Sequence, residues 1–349
     1  MGKMGKISTV FFICLLAAAL AMGQIVSSSV RGIVVDPTGA VVVGATCTLT
    51  NTATGQTATA TTMADGGFTF ANIPAGNYRL SITAAGFKVL TLENITVSAS
   101  ELRALGQLTL EVGATRETVT VTAEAAAIQL ASAERSGLVT ANQLSEIAIK
   151  GRDLMSFLAT IPGVVDMSAG SGREAVDPNA AVNITINGNP ANTKNVTVDG
   201  VNVLDTGNNT GMHYEPSMEA VAEVKILSSN YQAEHGRMGG GAIIMVTKSG
   251  TQQFHGSAYD YYRHESLNAN DFFNNRNKVR KTPYRYRITG YSIGGPIYIP
   301  KKFNTNRDKL FFFFSQELSG IKMDRGFRRL YMPTELEREG DFSKSYDLN

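Results

Sequence analysis

Between residues 28 and 112, apolar and polar positions alternate in short runs. Phe68 and Phe70 form one such run, Tyr78, Leu80 and Ile82 another, Leu92 leads to Ile95 and Val97, and Leu105, Leu108 and Leu110 close the series. A period of two is that of a pleated strand with one buried face. Turn chemistry separates the runs: "DPTG" (Asp36–Gly39), "ADGG" (Ala64–Gly67), "IPAGNY" (Ile73–Tyr78) and "AAGF" (Ala84–Phe87). Short strands at this spacing predict a small antiparallel β-sandwich over 28–112.

The pattern thins over 113–136, which is rich in Ala, Thr, Glu and Ser. Such a segment buries too little apolar surface to offset its ordering entropy and is expected to be a linker. Within it lies "ETVTVTA", where Thr118, Thr120 and Thr122 share one face and Val119, Val121 and Ala123 the other. Alternation alone leaves two readings open: a last strand of the sandwich, or a strand awaiting a partner.

Residues 137–250 carry mixed periodicities and read as an α+β unit. "TANQ" (Thr140–Gln143) fits a capping box at a helix start. Leu154, Phe157, Leu158 and Ile161 recur at helical spacing from Asp153, and Pro162-Gly163 ends the run. "VNITING", "NVTVDGV" with its turn at Asp199-Gly200, "VAEVKIL" and "GGGAIIMVTKSGT" read as strands. "GRMGGGA" (Gly236–Ala242) lacks the Lys-Ser/Thr ending of a phosphate loop, so its glycines are expected to serve tight turns and close backbone packing.

From 251 aromatic residues become frequent. "FHGSAYDYYRHE", "YRYRITGYSIGGPIYI" and "KLFFFFSQE" have lengths suited to tilted membrane strands of about nine to eleven residues. A few such strands cannot close a barrel, and open edges are not viable in lipid. On this reading the chain is expected to be the beginning of a longer protein. The fold class is thus mainly β: a small antiparallel β-sandwich, an α+β domain, and the first strands of an incomplete transmembrane β-barrel.

The N-terminus adds a destination. Lys3 and Lys6 precede an apolar run, Ile7 to Ala21, followed by small residues at Ala19, Ala21 and Gly23. This is the pattern of a cleaved secretory signal over 1–23. Cys14 lies in that run, so Cys47 alone would remain in the mature chain and no intrachain disulfide is expected.

Charge and motifs exclude more than they assign. The 349 residues carry a net charge of +2, so no bulk charge points to nucleic acid. The basic run Arg276–Arg287, with Tyr284 and Tyr286 interleaved, is better placed facing lipid headgroups or a barrel lumen. His213, His235, His255 and His264 show no HExxH spacing, and no nucleophile elbow, Walker or dinucleotide motif is present. Asp260, Glu265 and Asp271 are not fixed as a carboxylate pair by any spacing. No catalytic residue, metal site or cofactor is expected, and the chain is not expected to be an enzyme.

The order of these pieces resembles a known family. "VRGIVVDPTGAVVVGATCTLTNTATG…DGGFTFANIPAGNYRLSITAAGF" resembles the carboxypeptidase-regulatory-like domain, a transthyretin-like sandwich with a carbohydrate-binding-like fold. "KGRDLMSFLATIPGVV", "ITINGNPANTKNVTVDGVNV" and "VAEVKILSSNYQAEHGRMGGGAIIMVTKSGTQQFHGSAYDYYRHESLNANDFF" resemble the plug and first barrel strands of TonB-dependent outer-membrane receptors. "GYSIGGPIYIPKKFN…DKLFFFFSQE" and "PTELEREGDFS" are similar to the Oar-like subgroup. One departure is "IAIKGRD", where the family usually has "LPLNGRD". The family barrel has about twenty-two strands around a plugged lumen, against which this chain reads as an N-terminal portion.

The resemblance implies a division into signal (1–23), sandwich (28–112), linker with TonB box (113–136), plug (137–250) and truncated barrel (251–349). It implies that Glu117, Thr118, Val119, Thr120, Val121, Thr122 and Ala123 form the TonB box. It implies that Gly151, Arg152, Asp153, Asp199, Gly200, Gly236, Gly239, Gly240 and Gly241 form structural motifs of the plug. The implied partners are TonB with its inner-membrane energising complex, outer-membrane lipid, and an extracellular ligand such as a siderophore, oligosaccharide or peptide; nucleic acid is not among them. The implied location is the outer membrane of a Gram-negative-type bacterium, with the sandwich in the periplasm. The alternative is a secreted or surface module whose sandwich binds a carbohydrate or protein, although exposed aromatic platforms are few there and Tyr78 and Phe87 suit the core equally well.

Overall fold

The computed structural model describes residues 28–114, 118–122, 132–147, 149–167, 183–207, 209–236, 239–323 and 332–345. The expected signal segment, Glu117 and Ala123 lie outside these residues.

The first domain contains β1 (Ser28–Val35), β2 (Thr46–Asn51), β3 (Thr57–Thr61), β4 (Gly67–Ile73), β5 (Gly76–Thr83), β6 (Val89–Val97), β7 (Leu102–Thr109) and β8 (Thr118–Thr122). They form two sheets, in the orders β4-β1-β7 and β3-β2-β5-β6-β8. The alternating residues of each strand turn inward, so that Leu49, Phe68, Leu80, Ile82, Ile95 and Leu110 pack into one core. Aliphatic and aromatic burial of this kind stabilises by roughly 1.5–3 kcal/mol per large side chain.

Two pairings depart from the antiparallel expectation. β1 runs parallel to β7, and β6 runs parallel to β8. Strands joined directly by a turn, such as β2 with β3 and β5 with β6, are antiparallel. The parallel pairs join strands that are not consecutive, which leaves room for the longer crossover that parallel pairing requires. The expected linker over 113–136 is corrected by the same pairing. Thr118–Thr122 belongs to the sandwich sheet, and Arg135 already starts the next domain.

The middle domain is built on β9 (Arg135–Thr140), β10 (Val164–Asp166), β11 (Ile184–Ile186), β12 (Asn195–Val198), β13 (Val201–Asn202), β14 (Val221–Ser229) and β15 (Ala242–Thr247). Five of these form a sheet in the order β13-β12-β15-β14-β9, and β10 pairs with β11. Helix α1 (Ala141–Glu146) starts at the capping box read from the sequence: the Thr140 hydroxyl accepts from the Gln143 amide while the Gln143 side chain accepts from the Thr140 amide. The second expected helix is shorter. Helix α2 covers Leu154–Phe157 and tightens into a 3-10 turn at Leu158–Thr160. Leu154, Phe157 and Leu158 are buried, with Ile161 packed beside them. The chain then turns at Gly163, whose φ is 87°.

Three long strands follow: β16 (His255–His264), β17 (Tyr284–Pro296) and β18 (Phe311–Met323), in the order β16-β17-β18. The last two have 13 residues each, so β17 stops short of the run that begins at Tyr284 and β18 extends beyond the run that ends at Glu317. Along β17 burial alternates, with Tyr286, Ile288 and Ser292 inward and Arg285, Arg287 and Tyr291 outward. Helix α3 (Phe272–Arg276) lies between β16 and β17, and α4 (Glu335–Arg338) follows β18. Contacts divide the chain into two compact units: residues up to Ala258 with Gly290–Glu317, and Tyr259–Thr289 with the residues from Leu318. In the first unit Phe254, Tyr298 and Phe312 form an aromatic group, with the Arg307 guanidinium 4.7 Å over the Tyr298 ring. In the second, Asp260 takes two bonds from Arg287, at 2.8 and 3.0 Å, and one from Thr289 at 2.5 Å.

Candidate functional site

Strand β8 holds the described residues of the expected TonB box, Thr118–Thr122. Its five residues pair in parallel with β6 in the register Val89↔Thr118 to Glu93↔Thr122. It is the last strand of its sheet, and among the described residues no further strand pairs with its outer edge. Its apolar face does little packing. Val119 is half-buried against the sandwich core, whereas Val121 is 45% exposed. An edge strand held by backbone pairing and one side chain presents a free row of amides and carbonyls. The structure therefore brings Thr118, Val119, Thr120, Val121 and Thr122 together as a strand, but on the sandwich rather than unpartnered.

The motif residues of the middle domain shape its turns. Gly151 and Arg152 both have positive φ, 75° and 54°, which turns the chain sharply into α2. Arg152 then pairs with Glu219 at 3.1 Å. Asp153 is fully buried and caps α2, its carboxylate accepting from the Met155 amide at 3.1 Å and the Ser156 hydroxyl at 2.6 Å. Asp199 and Gly200 (φ 49° and 84°) make the primed turn that a two-residue hairpin needs. The Asp199 carboxylate also fastens β15, accepting from the Thr247 amide and hydroxyl at 2.9 and 2.7 Å.

The glycine run serves close packing. A Cβ on Gly240 would come within 2.9 Å of the Thr193 carbonyl oxygen, and one on Gly241 within 2.7 Å of that of Leu227. Gly236 closes a turn of its own, with 2.9 Å between a hypothetical Cβ and the Ala233 oxygen. Gly239 stands in open space.

Periodicity alone did not reveal the joint between sandwich and middle domain. The turn after β6 lies on β14 and β15, where Ala99 joins Leu227, Ala242 and Ile244 in an apolar cluster. The Glu223 carboxylate accepts from the Ala99 amide at 2.5 Å. Burial pushes the Glu223 carboxyl above the usual range, against the opposing pull of the Ala99 amide and Lys225. Lys225, 3% exposed, donates to the Ser100 oxygen at 3.1 Å and pairs with Glu134 at 2.8 Å. Beside this joint a cleft of about 580 Å³ is lined by Gly76, Asn77, Thr96, Thr140, Asp199 and Lys248. A Lys set between Val224 and Ile226 in an apolar strand was the available signal.

Among the described residues no group of three or more His, Cys, Asp or Glu side chains could hold a metal ion. The aromatic candidates for sugar binding are used in the sandwich. Tyr78 is 4% exposed, with its hydroxyl donating to the Pro74 oxygen at 2.8 Å, and Phe87 packs against the core.

Comparison with known proteins finds two family matches along the chain. Residues 29–111 match the carboxypeptidase regulatory-like domain, and residues 246–348 match an outer membrane beta barrel domain. The chain thus carries a regulatory-like sandwich and, after it, a stretch similar to an outer membrane beta barrel domain. More particularly, the chain is similar to the Oar-like TonB-dependent receptors. The TonB-dependent transporter Oar of Myxococcus xanthus is 27% identical over 355 residues, covering 94% of this chain and 30% of that protein. The chain thus spans about a third of the length of the curated relative it matches. Among solved structures, the siderophore receptor PirA of Acinetobacter baumannii is 16% identical over 53% of this chain and 24% of its own, with a TM-score of 0.37. PirA of Pseudomonas aeruginosa is 18% identical over 54% and 28%, with a TM-score of 0.31.

Proposed function

We propose that the chain is the N-terminal part of a TonB-dependent receptor that binds an extracellular ligand and imports it by TonB-driven rearrangement of the middle domain. In this reading the middle domain is the plug, the sandwich lies in the periplasm, and Glu117–Ala123 is the TonB box. The observation that supports it is the open outer edge of β8, the last strand of the sandwich sheet, which precedes the middle domain in the chain. A partner strand from TonB would pair with that edge through main-chain hydrogen bonds, while alternate side chains set the register. Similarity to the TonB-dependent transporter Oar supports the same reading.

Proline at adjacent positions provides the test, because proline removes an amide donor and successive amides point to opposite edges of a strand. Val119→Pro and Thr120→Pro would be made in the full-length receptor and assayed for cross-linking to the purified periplasmic domain of TonB. At least one should abolish cross-linking while outer-membrane insertion is retained. Undiminished cross-linking in both would refute the assignment.

A further inference from the structure

Two routes connect β8 to the middle domain, and both end on Lys225. The covalent route follows the chain from Thr122 to Glu134, the residue before β9. Glu134 is ion-paired with Lys225 at 2.8 Å, and the two side chains are 6% and 4% exposed. The second route passes through the pairing of β8 with β6 into the turn after β6. There the Ser100 oxygen accepts from Lys225 at 3.1 Å, and Ala99 donates to Glu223 two residues away on the same strand.

The charges around the ammonium are arranged to keep it. Glu134 faces it from the approach to β9, Glu223 from its own strand, and Glu101 lies in the turn after β6, where it pairs with Arg103 at 3.6 Å. At a site this buried, removing one partner leaves an uncompensated charge in low-dielectric surroundings, which is strongly unfavourable. The pair also stands at a mechanically exposed place. β9 is the edge strand of its sheet and begins at Arg135, so its pairing with β14 frays first beside Glu134.

We propose that Lys225 is a latch joining the sandwich, the chain entering β9 and the middle-domain sheet in one piece at rest. β9 leaves the sheet only after this latch opens. That a pull on β8 is what opens it rests on the TonB reading above; the latch itself does not. Opening it would loosen the sandwich turn and the start of β9 together, since one ammonium contacts both.

Hydrogen exchange on the intact protein in outer-membrane vesicles, without TonB, tests the latch alone. Glu134→Gln keeps shape and removes charge, and Lys225→Met removes the ammonium. Peptides covering Leu138–Thr140 and Ala99–Ser100 should exchange at least tenfold faster in both variants, while those covering Leu80–Ile82 keep their protection. If Lys225→Met also exposes β15, the glutamine variant alone decides. Unchanged exchange at β9 in Glu134→Gln overturns the latch. A receptor that fails to cross-link TonB but shows the faster exchange would overturn the TonB reading and leave the latch standing.

Discussion

Glu223 and Ala99 are 124 residues apart in sequence and are joined by a hydrogen bond of 2.5 Å from the Ala99 amide to the Glu223 carboxylate. The bond gives a sandwich turn its acceptor on another domain. Glu223→Gln keeps an acceptor there, whereas Glu223→Leu leaves the amide unsatisfied at a cost of about 1–3 kcal/mol. The leucine variant should therefore melt lower than the glutamine variant in a thermal unfolding experiment.

The same carboxyl sets a pH dependence. Its folded pKa is raised above 4.5, so the folded protein holds a proton that the unfolded chain releases first. Its contribution to stability is complete below the unfolded value and falls as pH rises toward the folded one. Between wild type and Glu223→Gln, the difference in stability should change across that acidic window and be flat above it. Denaturant titrations at a series of pH values would read this directly.

Cys47 is fully buried in the sandwich, and burial pushes its thiol up to about 12 from 9.0. Because the thiolate is the reactive form, the native protein should resist a disulfide reagent at neutral pH and react fully once unfolded. The sign for stability is the same as for Glu223. The stabilising term is whole below about 9 and is lost as pH rises toward about 12. Rapid labelling of the native protein would contradict the buried placement.

The two valines of β8 should behave differently. Val119 packs on the core, so Val119→Asp should destabilise the sandwich by about 1–3 kcal/mol. Val121 is largely exposed, so Val121→Asp should stay within about 0.5 kcal/mol. Equal effects in urea unfolding would mean that β8 does not hold this face.

Asp153→Ala removes the acceptor for the Met155 amide and the Ser156 hydroxyl at a fully buried position. Loss of an N-cap costs about 0.5–2 kcal/mol. The variant should lose protection at α2, read by hydrogen exchange, with the sandwich unaffected. Asp153→Asn, which retains an acceptor, should recover most of it.

Much of this fold was legible in the sequence for local reasons. A two-residue period marks which side chains share a strand face, and Asp-Gly and Gly-rich turns mark where strands reverse. The capping box at Thr140 and Gln143 marked a helix start, because both partners lie within one turn. The α2 helix was overextended because Leu158 and Ile161 continue the apolar face after the backbone has tightened to 3-10 geometry. The turn read at Asp199-Gly200 carries its requirement in the backbone angles of those two residues.

By itself, then, the sequence determined faces, turns and caps, which depend on residues a few positions apart. It left open which edge β8 would take, because alternation defines two faces and says nothing of the neighbour beyond either edge. Only the tertiary structure decided that the neighbour is β6, that this pair is parallel, and that Lys225 meets Glu134 and Ser100 at the joint. Such choices are made by contacts between distant segments, where desolvation and hydrogen-bond satisfaction select among pairings that local pattern leaves equivalent.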